Sequence, residues 1–288
     1  MAIAYIDQHA HPDAIPWYRS RPAEPGGSAF RLSVTQAIAI PNISLDAVLD
    51  RILVNPSRGA DLIIVGHGRE EGLSMRLVAG SASRARADLI RQLASDRGTP
   101  DALFGSMPPV PVSRVATLAQ ITEQQVVQLR MKMNRVRALT LTHVAFRACK
   151  LGVRRDVLRA YKPFFGCKVL SAPDLRDTYG TIRHGSPTVN MNQWITQHSP
   201  GHHMYVYGTA PNRIAIATSG GEDDDHTYTV DFAYENPTAL ANWTAQYLGS
   251  HRSGAFAYHG QWRTHPRANK PQIVFVGDPD YNEHIVVV

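Results

Sequence analysis

The sequence predicts an α/β protein with a doubly wound, mostly parallel sheet flanked by helices and an elaborated C-terminal third. Over roughly the first 175 residues, apolar runs of strand length alternate with segments whose apolar residues recur at helical spacing. Two of these runs end at a reactive side chain beside a glycine, at His67-Gly68 and at Ala148-Cys149. Parallel strands place such ends at one edge of the sheet, where open α/β sheets bind ligands.

Each element follows from a local pattern. Ser44 suits the N-cap of the first helix, and Thr122 with Gln125 suits a capping box. Two segments rich in proline and glycine, Pro16–Gly27 and Gly98–Val112, predict loops. The predicted strands are Ala2–Ile6, Leu32–Ile40, Asp61–Val65, Leu139–Phe146 and Cys167–Ala172, and the predicted helices are Leu45–Leu53, Arg84–Leu93, one beginning at Thr122, and Val153–Tyr161.

The last third of the chain lacks this regular alternation. A helix start is predicted at Asn236-Pro237. We expect residues 1–288 to form one domain, with a core over 1–180 and an elaboration or small subdomain over 190–288. The further predicted strands are Met204–Tyr207, Ile214–Thr218, Tyr228–Tyr234, Ile273–Val276 and Ile285–Val288, with the third of these paired to the second.

Composition narrows the class of protein. Only two cysteines occur in 288 residues, which excludes a disulfide framework and favours a reducing compartment. The net charge is +6, but the basic clusters of residues 130–137 and 154–159 fall on predicted helices, where solvated faces are favoured over a nucleic-acid site. The N-terminus does not have the form of a signal peptide, and no apolar run has the length of a membrane span. We therefore expect a cytoplasmic protein that binds neither membrane nor nucleic acid.

The two strand ends carry the residue types of a nucleophile and its acid/base partner. A thiolate is the attacking form of cysteine, and both an imidazolium and a helix N-terminus stabilise it. Cys149 precedes a helix predicted to start near Val153, and His67 could protonate the amine that leaves a scissile peptide. The N–H groups of Gly68 and Cys149 are candidates to hold the developing oxyanion.

These segments resemble the caspase-like superfamily of cysteine peptidases, which includes caspases, metacaspases, legumains, gingipains, separases and the bacterial CHAT-domain proteases. In that superfamily one strand ends in His-Gly and the next core strand ends in an Ala-Cys-type motif. Val65-Gly66-His67-Gly68 and Arg147-Ala148-Cys149-Lys150-Leu151-Gly152 match in that order, and the resemblance covers roughly residues 1–180. It implies a cysteine endopeptidase without a cofactor, acting on proteins or peptides through His67 and Cys149, although some members need Ca²⁺ or proteolytic activation by a partner.

The interval between His67 and Cys149 is longer than caspases show, which predicts an insertion or an extra helical pair over residues 69–120. The resemblance also makes Asp174, after the next strand, a candidate to bind a basic P1 side chain, although turn aspartates are common. His143 and Cys167 lie inside predicted strands and are expected to be packing residues.

Two other functions fit parts of the sequence. Asp7-Gln8-His9-Ala10-His11-Pro12 resembles the opening of the amidohydrolase barrels, in which two histidines hold a catalytic metal. Such a barrel needs about 250 residues of regular βα alternation, which the C-terminal third does not show. The second alternative is a caspase-like scaffold that has lost catalysis and serves as a binding or regulatory module.

Overall fold

The computed structural model describes residues 2–12, 14–20, 34–54, 56–95, 100–101, 105–106, 109–184, 192–196, 203–210, 213–219, 228–231, 255–264, 271–275 and 284–288. Its contacts divide the chain into two compact units. The first comprises Met1–Ala10, Thr35–Asp174 and Ile285–Val288, and the second comprises His11–Val34 and Leu175–His284. A single domain over the whole chain stays a prediction.

Helices and strands alternate through most of the first unit, and strands dominate the second. In chain order the elements are β1 (Ala2–Asp7), α1 (Ala14–Ser20), β2 (Val34–Ile40), α2 (Leu45–Val54), β3 (Asp61–Val65), β4 (Gly68–Arg69), β5 (Gly72–Arg76), β6 (Arg84–Arg86), α3 (Ala87–Ala94), β7 (Pro100–Asp101), β8 (Gly105–Ser106), α4 (Val112–Ala119), α5 (Glu123–Arg137), β9 (His143–Arg147), α6 (Arg155–Phe165), β10 (Val169–Pro173), β11 (Arg176–His184), β12 (Asn192–Thr196), β13 (His203–Ala210), β14 (Arg213–Ser219), β15 (Tyr228–Asp231), β16 (Ala255–Thr264), β17 (Pro271–Phe275) and β18 (Ile285–Val287).

The first unit is built on a six-stranded sheet with the order β18-β10-β9-β3-β1-β2. Strands β1, β3, β9 and β10 pair in parallel, and β18 pairs antiparallel to β10. The Thr35 hydroxyl donates to the Ala2 carbonyl and the Gln8 N–H to the Ile40 carbonyl, so β2 runs in the same direction as β1. The predicted α/β class with a mostly parallel sheet flanked by helices is confirmed.

One core cluster joins this sheet to helices α2 to α6. Alternate strand residues enter the cluster, among them Leu62 and Ile64 of β3 and Val144 and Phe146 of β9. The residues between them, such as Ile63, are fully buried as well. Burial on both faces explains why these strands read as unbroken apolar runs. Helices α2 to α6 all bury their apolar residues in this one cluster. The predicted doubly wound arrangement, with helices on both faces of the sheet, stays a prediction.

The helix starts follow their local chemistry. Ser44 Oγ accepts the Ala47 N–H over 3.2 Å, as expected for an N-cap. At the start of α5, Thr122 Oγ1 accepts the Gln125 N–H and Gln125 Oε1 accepts the Thr122 N–H, which completes the predicted capping box.

Two local predictions were wrong in part, and two elements were not predicted individually, in each case because tertiary packing decided the outcome. Part of the predicted Pro16–Gly27 loop is helix α1, which buries Trp17 and Tyr18. The predicted Arg84–Leu93 helix begins only at Ala87, since residues 84–86 pair as strand β6. Helix α4 was foreseen only as part of an insertion or an extra helical pair over residues 69–120, and the β4–β5 hairpin that follows His67 was not predicted.

The second unit contains a seven-stranded antiparallel sheet with the order β15-β14-β13-β12-β11-β16-β17. The predicted pairing of β15 with β14 is confirmed. Tyr18 of α1 and Tyr179 of β11 share a hydrogen bond of 3.1 Å between their hydroxyls. The helix start predicted at Asn236 lies outside the described residues. Among the residues described, no helix combines the length and apolarity that crossing a membrane requires.

Candidate active site at the carboxyl edge of the sheet

His67 and Cys149 leave the sheet side by side. Strands β3 and β9 are adjacent and parallel, and their last registered pair is Val65 with Arg147. The Gly66 N–H then donates to the Arg147 carbonyl over 3.2 Å. His67 and Cys149 each follow two positions after Val65 and Arg147, on strands spaced about 4.8 Å apart. The structure thus brings the two predicted reactive residues to the same edge.

Gly68 brings the two turns into direct contact. A Cβ atom placed on Gly68 would lie 2.7 Å from the Ala148 Cβ and 2.9 Å from the Cys149 carbonyl oxygen. Both distances are shorter than van der Waals contact allows, so only glycine fits here without displacing the backbone. The His-Gly turn therefore packs on the Ala-Cys turn itself.

The backbone after His67 turns into a small antiparallel sheet, β4-β5-β6. The Ser74 N–H donates to the His67 carbonyl over 2.9 Å, which makes Gly68 and Leu73 a non-hydrogen-bonded pair. In such a pair the N–H groups point away from the partner strand. The Gly68 N–H accordingly points away from β5 and takes no part in the β4–β5 pairing.

The turn that carries Cys149 is held against the next strand. Lys150 has a left-handed backbone with φ of 57°, and Leu151 is fully buried. The Gly152 N–H donates to the Pro173 carbonyl over 2.8 Å, and a Cβ on Gly152 would lie 2.6 Å from the Ala172 carbonyl oxygen. This packing leaves Cys149 half-buried at the edge, while His67 is exposed.

Helix α6 begins close to the predicted start near Val153. Its N-cap is Arg154, and residues 149–153 form the turn that precedes it. Arg147, the last residue of β9, is 3% exposed.

Asp174 lies at the same edge, one strand beyond Cys149. It directly follows β10, which pairs in parallel with β9, and it is half-buried. The carbonyl of the preceding Pro173 accepts the Gly152 N–H, so the strand end that carries Asp174 is bonded to the turn that carries Cys149. The three predicted side chains therefore occupy successive strand ends.

His143 and Cys167 are packing residues, as predicted. His143 is 5% exposed at the opposite end of β9, with its Nε2 2.7 Å from Ser171 Oγ. Four strand positions, roughly 13 Å, separate it from the carboxyl edge. Cys167 is buried, but it lies between α6 and β10 rather than within the strand. Burial raises the pKa of its thiol to about 12.

The two histidines of the amidohydrolase alternative, His9 and His11, make different contacts. Asp7 Oδ1 accepts the N–H groups of His9 and Ala10, each over 3.1 Å, which closes the turn after β1. The His11 ring packs edge-on against Tyr179, with 6.0 Å between ring centroids. In the part of the chain that the structure describes, no group of three or more His, Cys, Asp or Glu side chains could hold a metal ion. The sheet that contains β1 is open, whereas the amidohydrolase barrel is closed.

Sequence reasoning missed two features beside the site. The hairpin after His67 carries a signal that could have revealed it, since Leu73, Met75 and Leu77 alternate with polar residues at strand period. Tyr161 of α6 carries no such signal, because its hydroxyl bonds the backbone of Leu73 and Ala85, which are far from it in the chain. Helices α3 and α4 occupy the long interval between His67 and Cys149, where an extra helical pair was predicted.

The chain was compared with known proteins in three ways. No family model matches it. No curated protein and no solved structure matches it either.

Proposed function

We propose that this protein is a cysteine endopeptidase of the caspase-like type, with Cys149 as the nucleophile and His67 as the general acid and base. The observation that carries the proposal is the packing of Gly68 on Ala148 and Cys149, at the matched ends of two adjacent parallel strands. Two residues distant in sequence are thereby held at one sheet edge with a thiol and an imidazole as their side chains. That combination is typical of nucleophilic catalysis by cysteine.

In the first half of the reaction, the Cys149 thiolate attacks the carbonyl carbon of the scissile peptide bond. The negative charge that develops on the carbonyl oxygen is held by the N–H groups of Gly68 and Cys149. As the tetrahedral intermediate collapses, the C–N bond breaks and His67 gives its proton to the leaving amine. The acyl part of the substrate remains as a thioester on Cys149.

In the second half, water attacks the thioester carbonyl and His67 takes a proton from the water. Collapse of this intermediate breaks the C–S bond, releases the new carboxylic acid and restores the Cys149 thiolate with a protonated His67. No electron is transferred and no cofactor takes part in either half. The position of His67 at an exposed edge suits both roles, because it must exchange protons with amine and water.

The proposed substrate is an extended protein or peptide segment with a basic P1 side chain. Asp174 supports this preference, since its carboxylate follows the strand next to that of Cys149 and an Arg or Lys side chain pairs well with a carboxylate. The proposal names the substrate by class only, as a polypeptide, and it treats any activating partner in the same way.

The test is labelling and cleavage with the whole chain. A peptidyl acyloxymethyl ketone with Arg at P1 should modify Cys149 and leave Cys167 unmodified, as read by tryptic mass spectrometry. Cleavage of a P1-varied peptide library should be lost in Cys149→Ala and in His67→Ala, with Cys167→Ala as the matched control that keeps activity. If the wild type cleaves no member of the library and the probe ignores Cys149, the proposal is wrong and the binding-module alternative takes its place.

A further inference from the structure

The hydroxyl of Tyr161 joins the segment after His67 to the helix after Cys149. Tyr161 lies on α6 and is fully buried. Its oxygen accepts the Leu73 N–H of β5 over 2.9 Å, and its O–H donates to the Ala85 carbonyl of β6. One side chain thus satisfies two backbone groups of the small β4-β5-β6 sheet.

The backbone of that sheet is shaped to admit the hydroxyl. Gly72, at the start of β5, has φ of +144° and no side chain, and a Cβ there would lie 2.5 Å from the Tyr161 oxygen. The Tyr161 ring packs edge-on against Phe146 of β9, with 5.2 Å between ring centroids. Tyr161 therefore contacts both the strand that precedes Cys149 and the hairpin that begins at Gly68.

The hydroxyl has no substitute within this arrangement. Leu73 and Ala85 are buried, so neither backbone group can turn to bulk water when the hydroxyl is removed. Burial also raises the pKa of Tyr161, which keeps its oxygen protonated and able to donate and accept at once. The cost of leaving the two groups unpaired would instead be relieved by movement of the hairpin relative to α6.

We propose that Tyr161 is a positioning residue for the catalytic pair: its hydroxyl sets where the hairpin, and with it His67, stands relative to Cys149. This inference rests on the proposed function, because it concerns the distance between the two proposed reactive groups. Tyr161 touches neither substrate nor reacting atoms. Its effect reaches the site through two elements, the hairpin on one side and α6 with its preceding turn on the other.

The test measures how strongly His67 acts on the Cys149 thiol. The rate of alkylation by iodoacetamide is recorded from pH ~5 to ~9 in a Cys167→Ala background, so that one thiol reports. Four proteins are compared: the parent, His67→Ala, Tyr161→Phe and Phe165→Leu. Phe165 lies on the same helix and packs against Phe146, so its variant loses core contacts without touching the hairpin.

We expect the alkylation rate of Cys149 near neutral pH to fall in His67→Ala. In Tyr161→Phe we expect it to fall as well, by about tenfold. Phe165→Leu should melt at a lower temperature but keep the parental pH profile. A Tyr161→Phe profile that coincides with the parent, while His67→Ala differs, overturns the inference and leaves the proposed function intact. A His67→Ala profile that coincides with the parent overturns the proposed function itself.

Two further measurements cover the case in which Tyr161→Phe does not fold. Gly72→Ala keeps the hydroxyl but places a methyl group against it and against the Arg86 backbone, so the hairpin must move and the same loss of alkylation rate is expected. In the parent protein, the Leu73 amide hydrogen should exchange slowly with solvent, because it is bonded within the core. Rapid exchange of that amide would show that the hydroxyl does not hold the hairpin, and would overturn the inference.

Discussion

The Gly66 N–H donates to the Arg147 carbonyl over 3.2 Å, beyond the last registered pair of strands β3 and β9. His67 and Cys149 each lie two positions beyond that registered pair, after the strands end. The two side chains that carry the proposed chemistry therefore follow closely on the end of the main-chain pairing. Main-chain pairing constrains their separation more tightly than loop contacts would.

Gly68→Ala tests whether the contact between the two turns matters. The added Cβ would meet the Ala148 Cβ and the Cys149 carbonyl, so the hairpin must shift by a fraction of an ångström or more. We expect a loss of stability of about 1–3 kcal/mol and a fall in kcat/KM of roughly 100-fold, because small misplacements of catalytic groups are costly. Urea unfolding and peptide cleavage measure the two effects.

Gly80→Ala is the matched control. Gly80 also belongs to the segment after His67 and has φ of +78°, and a methyl group added to it would meet no other atom within 4 Å. Its substitution should cost about 1–2 kcal/mol through backbone strain alone and leave cleavage by the folded protein unchanged. Equal losses of kcat/KM in both variants would contradict a specific role for the Gly68 contact.

The two cysteines should differ in reactivity. Burial raises the pKa of Cys167 to about 12, whereas Cys149 is half-buried at the sheet edge. Iodoacetamide at about pH 8 should therefore modify the native protein once, at Cys149, and modify it twice after unfolding in urea. Because the folded pKa of Cys167 lies above the ordinary value, its contribution to stability is complete below that value and is lost as the pH rises toward 12. Intact-mass measurement and urea titrations at rising pH check both statements.

Asp174→Asn should alter the choice of substrate. If the carboxylate pairs with a basic P1 side chain, its neutralisation lowers kcat/KM for Arg at P1 by about tenfold or more and changes cleavage after uncharged residues little. Asp50→Asn removes the same charge from the exposed face of α2 and serves as the control. A uniform loss across all P1 residues would assign Asp174 a structural role.

The Lys132 ion pairs should stabilise the contact between α2 and α5. Lys132 Nζ lies 2.7 Å from Asp46 Oδ1 and 2.8 Å from Asp50 Oδ2. Burial lowers the pKa of Lys132, but hydrogen bonds and charges of the two aspartates outweigh it and the pKa is raised. The stabilisation is therefore present below the ordinary lysine pKa and is lost as the pH rises through the raised value.

Lys132→Met should lower the free energy of unfolding by up to about 1 kcal/mol at neutral pH. The difference from the parent should shrink in strongly alkaline solution and in high salt. Arg135→Met, an exposed change of the same kind on the same helix, is the control and should have a smaller effect. An unchanged urea midpoint in Lys132→Met would show that the pairs contribute nothing.

The capping box of α5 gives a prediction that is independent of function. Thr122→Ala removes the acceptor for the Gln125 N–H and should cost about 1 kcal/mol. Thr122→Ser keeps the hydroxyl and should restore most of that loss. The melting temperatures of the parent, Thr122→Ala and Thr122→Ser test this prediction. Equal melting temperatures for the two variants would contradict a role for the cap.

Local chemistry made the parallel core readable from the sequence. The last four residues of Asp61–Val65 are apolar because both faces of the strand are buried. Thr122 indicates the start of its helix because its capping bonds lie within one turn. Helix α1 could not be predicted in this way, because Pro16 and the prolines and glycines that follow it up to Gly27 suggest a loop, whereas burial of Trp17 and Tyr18 stabilises a helix. The bond between the Gly152 N–H and the Pro173 carbonyl was hidden for a similar reason, because it joins residues far apart in the chain.

The sequence by itself determined the α/β class, the two reactive strand ends and their order, because strand period and reactive residue types are local properties. Only the tertiary structure decided that β3 and β9 are neighbours, that Gly68 lies against Cys149, and that Tyr161 holds the hairpin. The physical reason is that pairing, close packing and buried hydrogen bonds join residues far apart in the chain. Such partners are selected by the whole fold, and no local pattern names them.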